Sequence, residues 1–319
     1  SRQGCSKSVA VSRLWGFLPL RFTQRESMNC INQVIKDQYA AYHGDCVEVL
    51  RGLPDASIGY SIFSPPFASL YTYSNSPRDM GNVRSDEEFF EHFDYLIAEL
   101  RRVIKPGRDI SFHCMDLPAS KERDGYIGLK DFPGNLLRAF EKHGFIFHSK
   151  VTIWKDPVTA MQRTKALGLL HKSVRENSAM CRQGIPDYLI TVRAPGESER
   201  VTHKADEYPV DLWQKVASPV WMDINPSDTL QYRSARDNDD ERHICPLQLE
   251  VIRRGIMLWT NPGDIVLSPF MGIGSEGFVA LELGRKFIGA ELKDSYFRQA
   301  VANLDNAQRQ TNDLFAEVA

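Results

Sequence analysis

The sequence lacks any long hydrophobic run, any closely spaced cysteine pair and any strong excess of charge of one sign. No apolar stretch approaches the ~20 residues that a membrane-spanning helix needs, so no membrane contact is expected. The formal net charge is -2, so the chain as a whole is not a basic nucleic-acid binder. Any contact with DNA phosphates must therefore use a local basic patch.

The cysteines give no sign of a metal site. None of the six forms a Cys-x-x-Cys pair, which argues against a zinc site of the usual spacing. In a chain of this size, they are expected to be reduced thiols of an intracellular protein. His113, Cys114 and Asp116 include metal-ligating residue types, but their spacing matches no established site, so we expect no metal.

The first 25 residues carry five basic side chains and no acidic one. With their serines and the apolar patch Leu14–Leu18, they have the composition of an organelle transit peptide. The plain alternative, which composition favours, is a disordered basic tail or sequence from outside the natural start. The chain begins with Ser1, as a fragment or a processed form would. We expect residues 1–37 to be a basic N-terminal extension.

Strand and helix patterns alternate along the remainder of the chain. They predict strands at 39–42, 57–63, 109–113, 145–154, 264–267 and 286–290, and helices at 46–53, 86–104, 246–259 and 275–283. Residues 86–104, for example, place apolar side chains at helical spacing between an acidic start and a basic end. The alternation favours a parallel sheet of the α/β class.

A glycine-rich turn follows the predicted strand at 264–267. It contains Gly272 and Gly274 and opens a predicted helix at Ser275, and Glu291 follows at the end of the next strand. The glycines allow close approach of a ligand to the backbone, and the acid can accept hydrogen bonds from both ribose hydroxyls. This pattern predicts a nucleoside-cofactor site. A purely structural alternative is a tight turn that requires glycine, with an exposed glutamate after the next strand.

The position of this turn restricts the kind of cofactor. Only 28 residues follow Glu291, whereas a nicotinamide-dinucleotide fold needs further strands downstream of its glycine motif. A nicotinamide oxidoreductase is therefore disfavoured. The remaining strands must come from earlier in the chain, so the order of elements is permuted.

A second constellation is Ser64-Pro65-Pro66-Phe67, which ends the apolar strand predicted at 57–63. The Ser64 hydroxyl and the Pro65 carbonyl could each accept a proton from one amino group. Phe67 offers a flat apolar face on which a base could stack. Together these residues predict a binding site, or grip, for a flat ring that carries an amino group. The same sequence is also compatible with two prolines that only end a strand.

Over residues 38–305 these segments resemble the amino-methylating DNA methyltransferases, which act on N4 of cytosine or N6 of adenine. The order resembles the permuted subgroup, with the catalytic motif first. The catalytic motif (Asp/Asn/Ser)-Pro-Pro-(Tyr/Phe/Trp) is matched by Ser64–Phe67, and Phe-x-Gly-x-Gly by Phe270–Gly274. Gly44-Asp45, Arg101–Gly107 and His243–Leu247 also match family segments. The resemblance implies a cofactor site formed by Asp45, Pro246, Ser268, Phe270, Gly272, Gly274, Ser275 and Glu291.

One position departs from the family pattern. Most members have Asp-Pro-Phe where this chain has Ser268-Pro269-Phe270, and that aspartate usually helps to bind the amino-acid part of the cofactor. Ser268 keeps a hydrogen-bonding group but loses the charge, which puts cofactor affinity in doubt. A catalytically inactive DNA-binding relative therefore stays open as an alternative.

The resemblance implies a Rossmann-like S-adenosylmethionine-dependent methyltransferase sheet with helices on both faces, circularly permuted, with an inserted target-recognition region. We expect a catalytic half at 38–154, the target-recognition region at 155–240 and a cofactor-binding half at 241–319. The expected reaction is direct methyl transfer from S-adenosylmethionine to N4 of a flipped cytosine in double-stranded DNA. Serine at the first catalytic position favours cytosine N4, and adenine N6 is the alternative.

The predicted target-recognition region begins with a basic stretch that is suited to phosphate contacts. Its basic residues are Lys155, Arg163, Lys165, Lys172, Arg175 and Arg182. Trp154 is either a wall of the flipped-base pocket or a core residue. We expect an intracellular protein located with DNA, in the cytoplasm or nucleoid of a prokaryote or in the nucleus or an organelle of a eukaryote. A homodimer, a partner nuclease and a reader domain all stay open.

Overall fold

The computed structural model describes residues 29–66, 86–119, 121–158, 171–204, 206–231 and 246–318. Within these ranges, no helix is both long enough and apolar enough to cross a membrane. The strands are β1 (Asn32–Ile35), β2 (Tyr39–His43), β3 (Tyr60–Phe63), β4 (Asp109–Cys114), β5 (Leu117–Ala119), β6 (Gly128–Lys130), β7 (Ile146–Ile153), β8 (Asp187–Arg193), β9 (Val220–Trp221), β10 (Ile265–Ser268) and β11 (Lys286–Glu291).

The helices follow the strands in alternation over most of the described chain. They are α1 (Cys46–Arg51), α2 (Asp86–Val103), α3 (Lys121–Asp124), α4 (Phe132–Lys142), α5 (His171–Asn177), α6 (Val210–Ala217), α7 (Leu249–Trp259), α8 (Ser275–Glu282) and α9 (Asp294–Val318). A 3-10 turn, Ser178–Met180, follows α5. Where a helix or strand was predicted, its bounds agree with the structure to within a few residues.

Nine of the described strands form one sheet in the order β1-β2-β11-β10-β3-β4-β8-β7-β9. The five central strands β2, β11, β10, β3 and β4 are mutually parallel. β8 is antiparallel to both β4 and β7, so it begins at the edge where the parallel strands end. The carboxyl ends of the central strands therefore share one edge with the start of β8, and we call this the carboxyl edge.

Alternating side chains of the central strands supply two separate cores, one on each face of the sheet. In β2, for example, Ala40 and Tyr42 face the core formed with α1, α2 and α4. Tyr39 and Ala41 face the core formed with α7, α8 and α9. Burial on both faces explains why these strands are short apolar runs. The prediction of an α/β, Rossmann-like sheet with helices on both faces is confirmed.

Two parts of the sheet lie where the sequence predicted other regions. β1 falls inside the predicted N-terminal extension, yet it pairs antiparallel with β2 at one edge. β8 falls inside the predicted target-recognition region, yet it lies between β4 and β7. β1 and β8 pair antiparallel with their neighbours, and the local sequence pattern does not predict which strands pair. The folded sheet therefore begins before residue 38 and continues into residues 155–240.

A buried arginine connects the strands at their amino ends, on the side of the sheet opposite the carboxyl edge. The Arg108 guanidinium, just before β4, donates to the Gly59 carbonyl ahead of β3 at 2.9 Å. It also pairs with the Asp264 carboxylate ahead of β10. One side chain thus ties together the starts of three neighbouring strands. Because the three strands are parallel, the loops that follow them all leave from the carboxyl edge.

Candidate active site

Four strand ends bring the residues predicted for cofactor and substrate to the carboxyl edge. β2, β11, β10 and β3 lie side by side in parallel. Asp45 follows β2, Glu291 closes β11, the glycine loop follows β10, and Ser64 follows β3. The prediction that these four strands are parallel members of one sheet is confirmed. These residues therefore lie on the same edge, with Asp45 and Ser64 at the two sides of the glycine loop and Glu291.

The Glu291 carboxylate is fixed by backbone donors on both of its oxygens. Its Oε2 accepts from the Gly272 N–H at 2.9 Å, and its Oε1 accepts from the Lys293 N–H at 2.8 Å. The Glu291 carbonyl also accepts from the Gly44 N–H at 2.9 Å, next to Asp45. The acid is thereby held against both the glycine loop and the turn after β2. Its predicted contact with ribose hydroxyls stays a prediction.

The two glycines of the loop are required for different reasons. Gly272 has φ +52°, and a Cβ added there would enter open space. Gly274 has φ +86° at the N-cap of α8, and a Cβ there would lie 3.3 Å from the Ala300 Cα of α9. Gly274 therefore permits helix packing, whereas Gly272 adopts a left-handed backbone conformation with open space beside it. The Gly272 N–H contacts the Glu291 carboxylate, and we call the glycine loop together with Glu291 the cradle.

Two serine hydroxyls beside this loop are buried without a partner. Ser268 Oγ and Ser275 Oγ have no hydrogen-bond partner among the described residues. Their residues are 0% and 3% exposed, respectively. A buried hydroxyl without a hydrogen bond is unfavourable. These two groups lie beside the glycine loop, and contacts of their hydroxyls with S-adenosylmethionine stay a prediction.

Asp45 has a structural role as well as its predicted binding role. Its Oδ1 accepts from the backbone N–H groups of Val47 at 2.9 Å and Glu48 at 3.1 Å, so it caps α1. Both contacts use the same oxygen. The cap holds the carboxylate at the carboxyl edge, beside the Glu291 strand. Its predicted contact with the cofactor adenine stays a prediction.

The segment after β3 lies next to the glycine loop. Phe270 contacts Phe63 with ring centroids 5.8 Å apart, so the loop after β10 touches the end of β3 just before Ser64. Pro65 is buried, and Ser64 and Pro66 are partly exposed. Phe67 lies outside the described residues.

A polar chain leads from Ser64 into the sheet. Ser64 Oγ lies 3.1 Å from His113 Nδ1 at the end of β4. His113 Nε2 lies 3.0 Å from Asp187 Oδ2 at the start of β8. The second Asp187 oxygen contacts Lys155 Nζ at 2.5 Å. We call Ser64, His113, Asp187 and Lys155 the Ser64 chain.

Sequence reasoning missed the connections within the Ser64 chain. It placed His113 at the end of the strand predicted at 109–113 without giving it a role, and it did not single out Asp187, because β8 itself was not predicted. The register explains the contacts: Phe63 pairs with Phe112, so Ser64 lies level with His113, and His113 pairs with Leu189, two residues beyond Asp187. An acidic residue opening an apolar run, Asp187-Tyr188-Leu189-Ile190, was the available signal.

The basic residues predicted to contact DNA differ in their surroundings. Lys155 is held by Asp187, and Arg182 Nη1 donates to the Gly128 carbonyl at 3.0 Å. Lys172 and Arg175 are exposed on α5. Arg163 and Lys165 lie outside the described residues. Contacts with phosphates stay predictions for all six, and among the described ones the geometry favours Lys172 and Arg175 as surface groups.

Two further predicted residues lie at or near the carboxyl edge. Trp154 follows β7 and is 47% exposed, so it is not a core residue. Its backbone N–H donates to the Trp221 carbonyl at 3.0 Å, which orders the turn. Pro246 is partly exposed just ahead of α7, whose N-terminus lies toward this edge because α7 runs back to the start of β10. Neither residue's role is fixed by these positions.

Glu276 provides a pH-dependent prediction. It is buried in the first turn of α8, and burial raises the pKa of its carboxyl to about 8 despite a backbone hydrogen bond, with Glu291 adding to the rise. The unfolded carboxyl ionises near 4.5, so stability should be lost as pH rises from about 4.5 to about 8. Glu276→Gln should abolish this loss. Urea unfolding of both proteins across this pH range measures it.

The control for Glu276 is Glu141→Gln, which changes an exposed glutamate on α4. It should leave the pH dependence of unfolding close to that of the original chain. A Glu276→Gln protein whose stability still falls as steeply over this pH range would contradict the assignment.

Comparison with known proteins agrees with this geometry. The family described as DNA methylase matches residues 60–302, a range that includes Ser64, the glycine loop and Glu291. The type II methyltransferase M.BglII of Bacillus subtilis is 26% identical over 278 residues, covering 86% of this chain and 71% of that protein. The DNA adenine methyltransferase YhdJ of Escherichia coli K12 is 26% identical over 283 residues, with 86% of each covered.

Solved structures share the fold at lower identity. A putative DNA modification methylase of Thermus thermophilus, complexed with S-adenosyl-L-methionine, has a TM-score of 0.62 at 22% identity, over 85% of this chain and 96% of that chain. The PvuII DNA methyltransferase, described as cytosine-N4-specific, has a TM-score of 0.61 at 18% identity, over 88% of this chain and 92% of that chain. These likenesses establish a common fold.

Proposed function

Since the chain belongs to the DNA methylase family, we propose that it methylates the exocyclic N4 nitrogen of cytosine in double-stranded DNA. The methyl donor is S-adenosylmethionine. The observation that carries the proposal is the common location of Ser64 and the glycine loop on one sheet edge. A methyl group can pass directly between two ligands held at neighbouring strand ends.

The cofactor half of the site would be formed by β10, β11 and the loops that follow them. Glu291 would accept the ribose hydroxyls, and Asp45 would lie toward the adenine end because it follows the neighbouring strand. The buried hydroxyls of Ser268 and Ser275 would gain the partners they lack, so serine at position 268 would still contribute a hydrogen bond. Phe270 and Pro246 would line the cradle. The bound cofactor supplies an electrophilic methyl group on a sulfonium centre.

The substrate half would hold the target amino group. An exocyclic amino nitrogen is a weak nucleophile because its lone pair is delocalised into the ring. Ser64 Oγ and the Pro65 carbonyl would each accept one of its hydrogens and favour a more tetrahedral nitrogen whose lone pair faces the methyl. This is positioning and electrostatic catalysis, with no covalent bond between enzyme and base.

The target base must leave the duplex to reach this grip, because its amino group is otherwise buried in the helix. Phe67 would stack on the flipped base, and Trp154 would form a second wall. Lys172 and Arg175 would contribute phosphate contacts from the target-recognition region at 155–240, together with the other predicted basic residues. The order of segments, Ser64 before Gly272, supports assignment to the permuted subgroup.

Cytosine N4 is preferred over adenine N6 because Ser64 occupies the first catalytic position, where the adenine enzymes usually carry aspartate. One observation favours adenine N6 as the alternative target: the similar YhdJ protein is described as a DNA adenine methyltransferase. PvuII methyltransferase, which shares the fold, is described as cytosine-N4-specific. The choice therefore depends on the residue at position 64 rather than on overall similarity.

Nucleoside analysis tests this proposal. Purified protein is incubated with S-adenosylmethionine and plasmid from a host without DNA methylases, and the digested DNA is examined by mass spectrometry. We expect N4-methylcytosine, because Ser64 and the Pro65 carbonyl present two neutral acceptors to the amino group. N6-methyladenine instead would overturn the base assignment but keep the reaction. Methyl transfer to neither base by a protein that binds the cofactor would overturn the proposed function.

A further inference from the structure

We propose that His113 is a positioning residue that orients the Ser64 hydroxyl as an acceptor and receives the proton released by the target amino group. The inference rests on the proposed function, since it assigns a role within that methyl transfer. It is carried by the Ser64 chain, whose members lie on four different strand ends and meet only because of the sheet topology.

The orientation of the histidine follows from its partner. Asp187 is 2% exposed, so its carboxylate has little water around it. Burial alone would raise the pKa of Asp187, but the neighbouring His113 and Lys155 lower that pKa below its ordinary value. His113 Nε2 lies 3.0 Å from Asp187 Oδ2, in contact with the carboxylate but without the alignment of a hydrogen bond. Two lone pairs at that distance would repel each other, so Nε2 carries the proton of the neutral ring. The Nδ1 atom of a neutral ring is then an acceptor facing Ser64.

This arrangement determines what the Ser64 hydroxyl can do. A hydroxyl has one proton and two acceptor lone pairs. With its proton directed to His113 Nδ1 at 3.1 Å, Ser64 Oγ keeps its lone pairs for an amino hydrogen in the cleft. Without His113 the proton could point into the cleft and oppose that hydrogen. The histidine thus makes Ser64 an acceptor before the substrate arrives, which is preorganisation.

The same atoms provide a path for the released proton. As the amino nitrogen forms its bond to the methyl carbon and the carbon–sulfur bond breaks, the nitrogen gains a positive charge and must lose one proton. Ser64 Oγ takes that proton while its own proton moves to His113 Nδ1, which leaves a neutral methylamino group and an imidazolium. The Asp187 carboxylate neutralises the imidazolium until the proton passes to water.

Lys155 provides a positive charge to the Ser64 chain before any proton is transferred. Its ammonium contacts Asp187 Oδ1 at 2.5 Å, so the buried carboxylate is neutralised even while the histidine is uncharged. A buried unpaired carboxylate would be unfavourable. Lys155, which the sequence predicts to contact DNA, can therefore neutralise Asp187 without any contact with DNA.

A double-mutant cycle tests the inference, with single-turnover methyl transfer at saturating cofactor as the readout. The proteins are the original chain, His113→Ala, Ser64→Ala and the double variant, and calorimetric cofactor affinity is measured for each. We expect His113→Ala to slow transfer by about 10-fold to 100-fold. Because His113 acts through Ser64, the double variant should be no slower than Ser64→Ala. His113→Asn, whose amide oxygen can accept the Ser64 proton, should recover part of the rate.

His143→Ala is the matched control. His143 lies after α4, with Nε2 2.7 Å from Asp94, and belongs to a different part of the molecule. This variant should transfer methyl at the original rate. If His113→Ala loses cofactor binding through misfolding, the same cycle is run with His113→Asn.

Two results would overturn the inference while the proposed function stands. One is full activity of His113→Ala beside a slow Ser64→Ala protein. The other is a double variant slowed by the product of the two single effects, because that would show His113 acting independently of Ser64. An original chain that binds the cofactor but transfers no methyl group to DNA would instead remove the proposed function, and the inference with it.

Discussion

Ser64→Ala should reduce single-turnover methyl transfer to duplex DNA by a factor on the order of 10² while leaving cofactor affinity unchanged. The hydroxyl is one of two acceptors proposed to orient the target amino group, and it follows β3 rather than the cofactor strands. Losing a preorganised hydrogen bond to a reacting group affects the chemical step far more than ground-state binding. Single-turnover kinetics and calorimetry on one protein preparation separate the two quantities.

Ser57→Ala is the matched control for this change. Ser57 lies ahead of the same strand, at the opposite edge of the sheet, where its hydroxyl donates to the Pro54 carbonyl at 2.7 Å. It should leave transfer unaffected. Full methylation by Ser64→Ala would show that the proposed grip is wrong.

Glu291→Ala should weaken S-adenosylmethionine binding by roughly 1–3 kcal/mol, about 5-fold to 150-fold in Kd. The proposal gives this carboxylate the ribose hydroxyls, and the backbone donors of Gly272 and Lys293 already fix its position. The variant loses the charge-assisted hydrogen bonds and also loosens the loop that forms the cradle. Calorimetric titration with S-adenosylmethionine measures the change.

Glu282→Ala provides the comparison on a nearby helix. Glu282 ends α8 and pairs on the surface with Arg253 at 2.9 Å, so its loss should leave cofactor affinity as it was. If Glu291→Ala bound the cofactor as tightly as Glu282→Ala does, the acid would have no part in the cofactor site.

The residues proposed for binding and catalysis could be predicted because their chemistry is local in sequence. Gly272 and Gly274 open a helix directly after a strand, and Ser64 directly follows an apolar one. Once both strands were assigned to one parallel sheet, their ends had to share an edge. The direction of the strands was therefore enough to predict that Ser64 and the glycine loop, about 200 residues apart, lie at the same edge.

The partners of Ser64 could not be predicted in this way. Asp187 reaches the carboxyl edge only because β8 runs antiparallel between β4 and β7. That pairing joins strands separated by a long basic segment, and no local pattern specifies it. Lys155 illustrates the same difficulty: a lysine in a basic stretch suggests DNA contact, yet its ammonium lies beside a buried carboxylate.

The strand β1 was not predicted for a related reason. Asn32–Ile35 is a short strand after a basic segment, and its residues are partly exposed at the sheet edge. Weak burial gives a weak sequence signal. Its pairing with β2 becomes evident only when both strands are seen in register.

A crystal structure of the chain with S-adenosylhomocysteine and a duplex containing its target site would test the central claim most directly. The account predicts a base flipped out of the duplex, with its exocyclic amino nitrogen about 3 Å from Ser64 Oγ and from the Pro65 carbonyl. It also predicts the cofactor ribose on Glu291, with the sulfur facing the same nitrogen. A cofactor bound away from the Gly272–Gly274 loop, or a target amino group remote from Ser64, would contradict the account.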